Sequence, residues 1–357
     1  MKKTIGIFLA VFLTAVLLTG CLSSSGNTVS VKCVTGLDVI EPKYGMKKQL
    51  RMEFDETTGV LTAEADGVLV EYAFNRNGDL LSMHRYYPDG ELWSSYVLTY
   101  DEAGKLIREE SYGNSRLSLP ASGKKEYTYD DDGILEKTVR YREDWLWEED
   151  FYREDGTLRQ RIEHIYGYEE DFRHIYDYAE DGRVLTQRDV RDGKDIGGKD
   201  YVYDDNGMLL QIINYANEET RQESVSNIRY DEKGNRIEES FTDSEGIAKW
   251  YRYTYDEDGN MLTQRYSENP EGYGNTWTYD EEGRVVSQSY GSGPAVYWTY
   301  DADGRIATYT SGDNVTSYTY TYKTFRLPEA LAAAVAEAMD QLALEFVTRP
   351  TVYDWVF

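Results

Sequence analysis

The 357-residue chain carries 65 Asp and Glu against 38 Lys and Arg, a formal charge of −27, with 33 tyrosines and only 2 cysteines. A surface this acidic repels phosphate backbones, which excludes nucleic acid as an expected partner, and it argues against a polybasic membrane contact. In chain order, Lys2 and Lys3 precede an apolar run from Ile5 to Leu18, too short to cross a bilayer as a permanent helix, so residues 1–20 read as an export signal.

Leu18, Thr19, Gly20 and Cys21 resemble the lipobox of bacterial lipoproteins. The resemblance implies cleavage before Cys21 and lipid attachment to it, each buried methylene contributing about 0.8 kcal/mol to membrane binding. The alternative is an ordinary secretory signal in which Gly20 suits the cut and Cys21 is incidental. A lipidated Cys21 leaves Cys33 without a disulfide partner, so packing has to supply the stability. Residues 21–45 read as the anchored N-terminus, with "LSSSGNTVS" at 22–30 as a flexible spacer holding the body near the membrane.

Over residues 46–322 the same word recurs: "YTYDEDGN" at 253, "WTYDEEGR" at 277 and "WTYDADGR" at 298. Glycines that follow short acidic clusters, among them Gly78, Gly104, Gly133, Gly156, Gly182, Gly207, Gly234, Gly259, Gly283 and Gly304, recur mostly at intervals in the mid-twenties, with some near half that. Such a period marks a repeat architecture. In each word the Asp opens a type I turn and the Gly supplies the positive φ three places later, as in a short hairpin loop with a bulge. The expected register pairs Asp256 with Asn260, Tyr255 with Met261, Thr254 with Leu262 and Tyr253 with Thr263. It likewise sets Tyr279 beside Val285 and Tyr300 beside Ile306, placing aromatics toward a core and Asp256 and Asn260 toward water. The fold class is all-β: tandem antiparallel β-hairpins forming a long twisted or spiral sheet, open at edges that charge protects, with one C-terminal α-helix as a cap.

These words, with Arg or Asn and then an aliphatic after the Gly, resemble the YD repeats of the RHS family over roughly residues 70–322. That resemblance implies a spiralling β-sheet shell and an association with toxins; at this length it implies a short open sheet or partial spiral. "RYYPDGELWSS" at 85–95 and "FYREDGTLRQR" at 151–161 also look like the hairpins of MORN-like repeats.

Residues 323–357 change character. From Pro328, "PEALAAAVAEAMDQLALEFV" reads as a helix with Pro at its first turn and Pro350 beyond its end. Leu331, Val335, Ala338, Leu342 and Phe346 share one face, so the helix is expected to cover the last hairpin. An amphipathic membrane helix is the competing reading, and the absence of Lys or Arg within the run argues against it.

The abundant carboxylates specify no catalytic pair, because nearly any two could be matched. The DxDG words at 256–259 and 301–304 bring Gly at position 4, where a calcium loop needs it at position 6, so they read as turns. Of three histidines, His164 and His174 stand in matching words, and a hairpin centred on Glu169 sets them opposite each other, with Glu163 or a neighbouring acid as a third ligand for a transition metal; the plainer reading is a surface histidine copied by repetition. Trp145 and Trp147 fall on one strand face beside acids in a variable return, the best candidate for a ligand platform. No catalysis and no cofactor are expected. The sequence thus predicts a non-enzymatic, lipid-anchored protein facing outside the cytoplasm, bound to membrane through Cys21 and binding a protein or glycan. A component of a toxin or immunity system and a cell-envelope hydrolase are the alternatives.

Overall fold

A computed structural model of the chain describes residues 28–113, 121–167, 171–215, 224–242, 247–267 and 274–348. The export signal, Cys21, most of the spacer, Glu169 and Pro350 lie outside them. The described residues form 24 strands and one long helix. The first six strands are β1 (Thr28–Glu41), β2 (Met46–Asp55), β3 (Val60–Ala65), β4 (Val68–Phe74), β5 (Leu80–Tyr86) and β6 (Leu92–Tyr100). Next come β7 (Leu106–Gly113), β8 (Ala121–Tyr129), β9 (Leu135–Arg142), β10 (Trp145–Tyr152), β11 (Leu158–Ile165) and β12 (Phe172–Tyr178). Then follow β13 (Val184–Arg191), β14 (Lys194–Tyr203), β15 (Leu209–Tyr215), β16 (Ser224–Tyr230), β17 (Arg236–Thr242) and β18 (Ala248–Tyr255). The last are β19 (Met261–Tyr266), β20 (Asn275–Tyr279), β21 (Val285–Tyr290), β22 (Val296–Tyr300), β23 (Ile306–Ser311) and β24 (Asn314–Pro328), before the helix α1 (Glu329–Thr348).

Among the described residues the acidic words make the expected turn. The Asp256 N–H donates to Asn260 O at 2.9 Å, while Asp256 Oδ1 accepts from the N–H groups of Asp258 and Asn260 at 3.0 and 2.8 Å. Gly259, at φ 88°, closes the loop in a conformation that an L side chain resists. The same bonds recur around Asp280 and Asp301. Hydrogen bonds from Asn260 hold the Asp256 carboxyl below its ordinary value, and those from Thr157 do so for Asp155. A carboxyl depressed in the folded state stabilises it above the unfolded value near 4 and ceases to do so as pH falls through the lower folded value. Stability is therefore expected to be level from neutrality down to about pH 5 and to decline below about pH 4, read as the urea midpoint across that range.

Beyond the turn the register departs from expectation. Tyr255 pairs with Met261, Tyr279 with Val285 and Tyr300 with Ile306 as anticipated, but Thr254 pairs with Thr263 and Tyr253 with Gln264. Leu262 is the extra residue of a second bulge, which shifts each later pair by one. The repeated tyrosine has a further role. Its hydroxyl donates to the carbonyl two residues after the glycine of the preceding turn: Tyr100 to Leu80, Tyr129 to Leu106, Tyr203 to Val184, Tyr230 to Leu209, Tyr255 to Arg236, Tyr279 to Met261, Tyr300 to Val285 and Tyr320 to Ile306, at 2.7–3.0 Å. These eight tyrosines each fasten one hairpin to an earlier one. Tyr255→Phe deletes one such bond while keeping the ring, and is expected to lower unfolding free energy by about 0.5–1.5 kcal/mol.

The sheet is closed, which corrects the expectation of a long open or spiral ribbon. β1 pairs with β2 over Gly36–Glu41 and with β24 from Thr28 opposite Pro328 to Ile40 opposite Ser317, so all 24 antiparallel strands join in one barrel-like ring. Residues 28–30, read as the end of a spacer, are the start of that clasp. Closure removes both sheet edges, so charge is not what protects them.

Helix α1 buries Leu331, Val335, Leu342 and Phe346 as expected, with Met339 rather than Ala338 completing the stripe at i+4 spacing. The helix does not simply cover the last hairpin. It packs on the clasp, in one cluster with Cys33, Val34 and Leu37 of β1, Leu50 and Phe54 of β2, Val70 of β4 and Phe325 of β24. Its first turn meets the β4–β5 turn, where the space beside Gly78 is filled by the Ala330 carbonyl, and Asp340 accepts from Arg305 beyond the β22–β23 turn at 2.8 Å. The dense core therefore sits under the clasp. Elsewhere the tyrosine row is half-buried, and the opposite face of β18–β23 carries exposed threonines bonded in cross-strand pairs, Thr254 to Thr263 and Thr299 to Thr308 at 2.7 Å.

Candidate functional site

Glu143 and Asp144 alone connect β9 to β10, with Glu143 in the left-handed region at φ 53°. This tight connection delivers Trp145 opposite Arg142 at the ring's end. The register then shifts between Leu146 and Glu148, leaving Trp147 as a bulge residue without a cross-strand partner and turned to solvent. Trp145 is 52% exposed and Trp147 42%. Tyr166, one residue beyond β11 and 71% exposed, joins them: its ring centroid lies 4.0 Å from that of Trp145 at an interplanar angle of 59°. Arg142 sits over the Trp147 ring at 5.3 Å. The structure thus places Trp145 and Trp147 on one exposed end and adds Tyr166, which sequence reasoning missed. Its signal was present, an aromatic immediately before Gly167 in a variable return.

The two histidines do not meet. Glu163 lies opposite His174 and His164 opposite Arg173, a slip of one residue from the expected hairpin centre that puts the imidazoles on opposite faces. His174 Nδ1 lies 2.6 Å from Asp189, and His164 Nε2 lies 3.1 Å from Glu149. Burial raises the Glu149 carboxyl, but hydrogen bonds from Lys137 and His164 outweigh it and hold the group below its ordinary value. Among the described residues no group of three metal-ligating side chains converges.

A second charged cluster lies on the face that carries the tyrosine row. Asp150, 1% exposed, accepts two bonds from Arg161, at 2.7 Å from Nε and 3.0 Å from a terminal nitrogen. Glu148, 7% exposed, lies 3.5 Å from both Arg161 and Arg140. One strand pair further on, Glu109 accepts from the hydroxyls of Tyr96 and Tyr127. Burial, then that bond, pushes the Tyr127 hydroxyl far up. The Asp150 bond, against the opposing effect of burial, raises Arg161. These charges neutralise one another, as a scaffold needs. The clefts are shallow: about 380 Å³ between Arg51, Glu53, Glu64 and Lys323, and about 590 Å³ between the Asp256 and Asp280 turns.

No family model matches the chain, and no curated protein matches it. Among solved structures it is similar to the TcdB2-TccC3 crystal structure, at 12% identity and a TM-score of 0.31 over 79% of this chain and 24% of that one. It is also similar to the Photorhabdus luminescens Tc holotoxin pore, at 13% identity and 0.25 over 78% and 22%, and to a porin-like protein from Bacteroides uniformis ATCC 8492, at 11% and 0.24 over 81% and 96%. The chain spans less than a quarter of the two toxin chains. No helix among the described residues is long and apolar enough to cross a membrane.

Proposed function

We propose that this chain is a non-enzymatic, exported and lipid-anchored bacterial protein whose β-ring binds a glycan through Trp145, Trp147 and Tyr166. The observation that carries the reading is the exposure of Trp145, Trp147 and Tyr166 at one end of the ring, with the Trp145 and Tyr166 rings 4.0 Å apart. Tilted aromatic rings stack on sugar faces, and the exposed carboxylates of Glu143 and Asp144 beside them accept from sugar hydroxyls. The chain's charge of −27 favours an uncharged or cationic glycan over an anionic one.

Isothermal titration calorimetry with neutral and amino-sugar oligosaccharides of the cell envelope tests this. Removing a central ring at a binding hot spot costs about 2 kcal/mol or more, so Trp145→Ala with Trp147→Ala is expected to abolish saturable binding. Binding that survives both changes rejects the platform.

A further inference from the structure

The two rims of the ring differ. Among the described residues the Asp-x-x-Gly turns, including those opened by Asp256, Asp280 and Asp301, connect an even-numbered strand to the next odd one and so fall on one rim. The returns at Glu143–Asp144 and Tyr166–Gly167 connect odd to even strands and fall on the other, with the aromatic cluster. β1 enters the ring at the turn rim: Thr28 pairs with Pro328 at the far end of β24, and Lys32 reaches Asp303 in the β22–β23 turn at 2.9 Å. Cys21 precedes Thr28 by seven residues. Fully extended, that length reaches at most about 25 Å. β1 itself, which runs from that entry to the opposite rim, has 14 residues and is about 43 Å long at ~3.3 Å per residue. A tether that starts at the turn rim is therefore exhausted before the aromatic rim can touch the bilayer.

We propose that the ring stands with its acidic turn rim toward its own membrane and presents the Trp145, Trp147 and Tyr166 end away from it, toward a glycan beyond the bilayer. The inference rests on lipid attachment at Cys21. It removes the commonest alternative use for exposed Trp and Tyr in an anchored protein, a seat in the bilayer interface. It also gives the exposed Glu257, Asp258, Glu281 and Glu282 a consequence: facing anionic headgroups, they hold the ring off the surface within the length of its tether.

The test uses the full lipoprotein, purified from membranes and placed in phosphatidylcholine vesicles that carry a lipid-linked energy acceptor. A donor dye is attached at Glu257→Cys on the turn rim or Lys194→Cys on the opposite one. Cys33, 1% exposed and with its thiol pushed up to about 11 by burial, stays unlabelled. Several-fold greater transfer from Glu257→Cys is expected; equal or greater transfer from Lys194→Cys overturns the orientation. If the parent chain floats with vesicles no better than Cys21→Ser, the lipid anchor itself fails and the orientation falls with it. Neither result depends on the oligosaccharide titration, so failure of glycan binding is read separately.

Discussion

Val335→Asp is expected to open the ring. Val335 is fully buried on α1 against the clasp of β1 and β24, in the one region where the structure concentrates aliphatic and aromatic side chains. A carboxylate there has no basic partner in the cluster and is either desolvated or protonated, at a cost of about 3–5 kcal/mol. That is a large share of the roughly 5–15 kcal/mol by which a folded domain exceeds its unfolded state. Leu342→Ala, which only removes volume from the same cluster, is expected to cost about 2–5 kcal/mol. Both are read from urea unfolding followed by far-ultraviolet circular dichroism. A Val335→Asp midpoint equal to the parent's would show that the helix does not hold the clasp.

What the sequence disclosed follows from the range over which its signals act. Asp256, Gly259 and Tyr255 are separated by a few residues, and their hydrogen bonds are local, so turn, loop closure and first cross-strand pair were all legible. Leu262 was not legible as a bulge, because a run such as Met261–Thr263 offers no Gly or Pro to mark the extra residue, and every later pair moved by one. The same single-residue sensitivity separated His164 from His174. Closure was further out of reach. It depends on β1 matching β24 across nearly the whole chain, and the strand's opening residues, Thr28 to Ser30, have the small polar composition of a spacer. The aromatic end was half legible: alternation placed Trp145 and Trp147 together, whereas Tyr166 joins them only through the pairing of β10 with β11.

The buried acids make the second large effect. Arg161→Ala removes both bonds to Asp150 and one of the two arginines 3.5 Å from Glu148, leaving two carboxylates that are 1% and 7% exposed with only Arg140 within ion-pair distance of Glu148. Truncating one partner of a buried pair costs about 3–5 kcal/mol because the remaining charge stays desolvated. Asp150→Ala is expected to cost less, since Arg161 is about a third exposed and retains Glu148 within reach. If the cluster is a scaffold, the double variant should be more stable than Arg161→Ala alone, with a coupling of about 1–3 kcal/mol. Additive losses would show that the two groups stabilise the ring independently, and that the neutralisation seen between β10 and β11 is not what holds those strands in register.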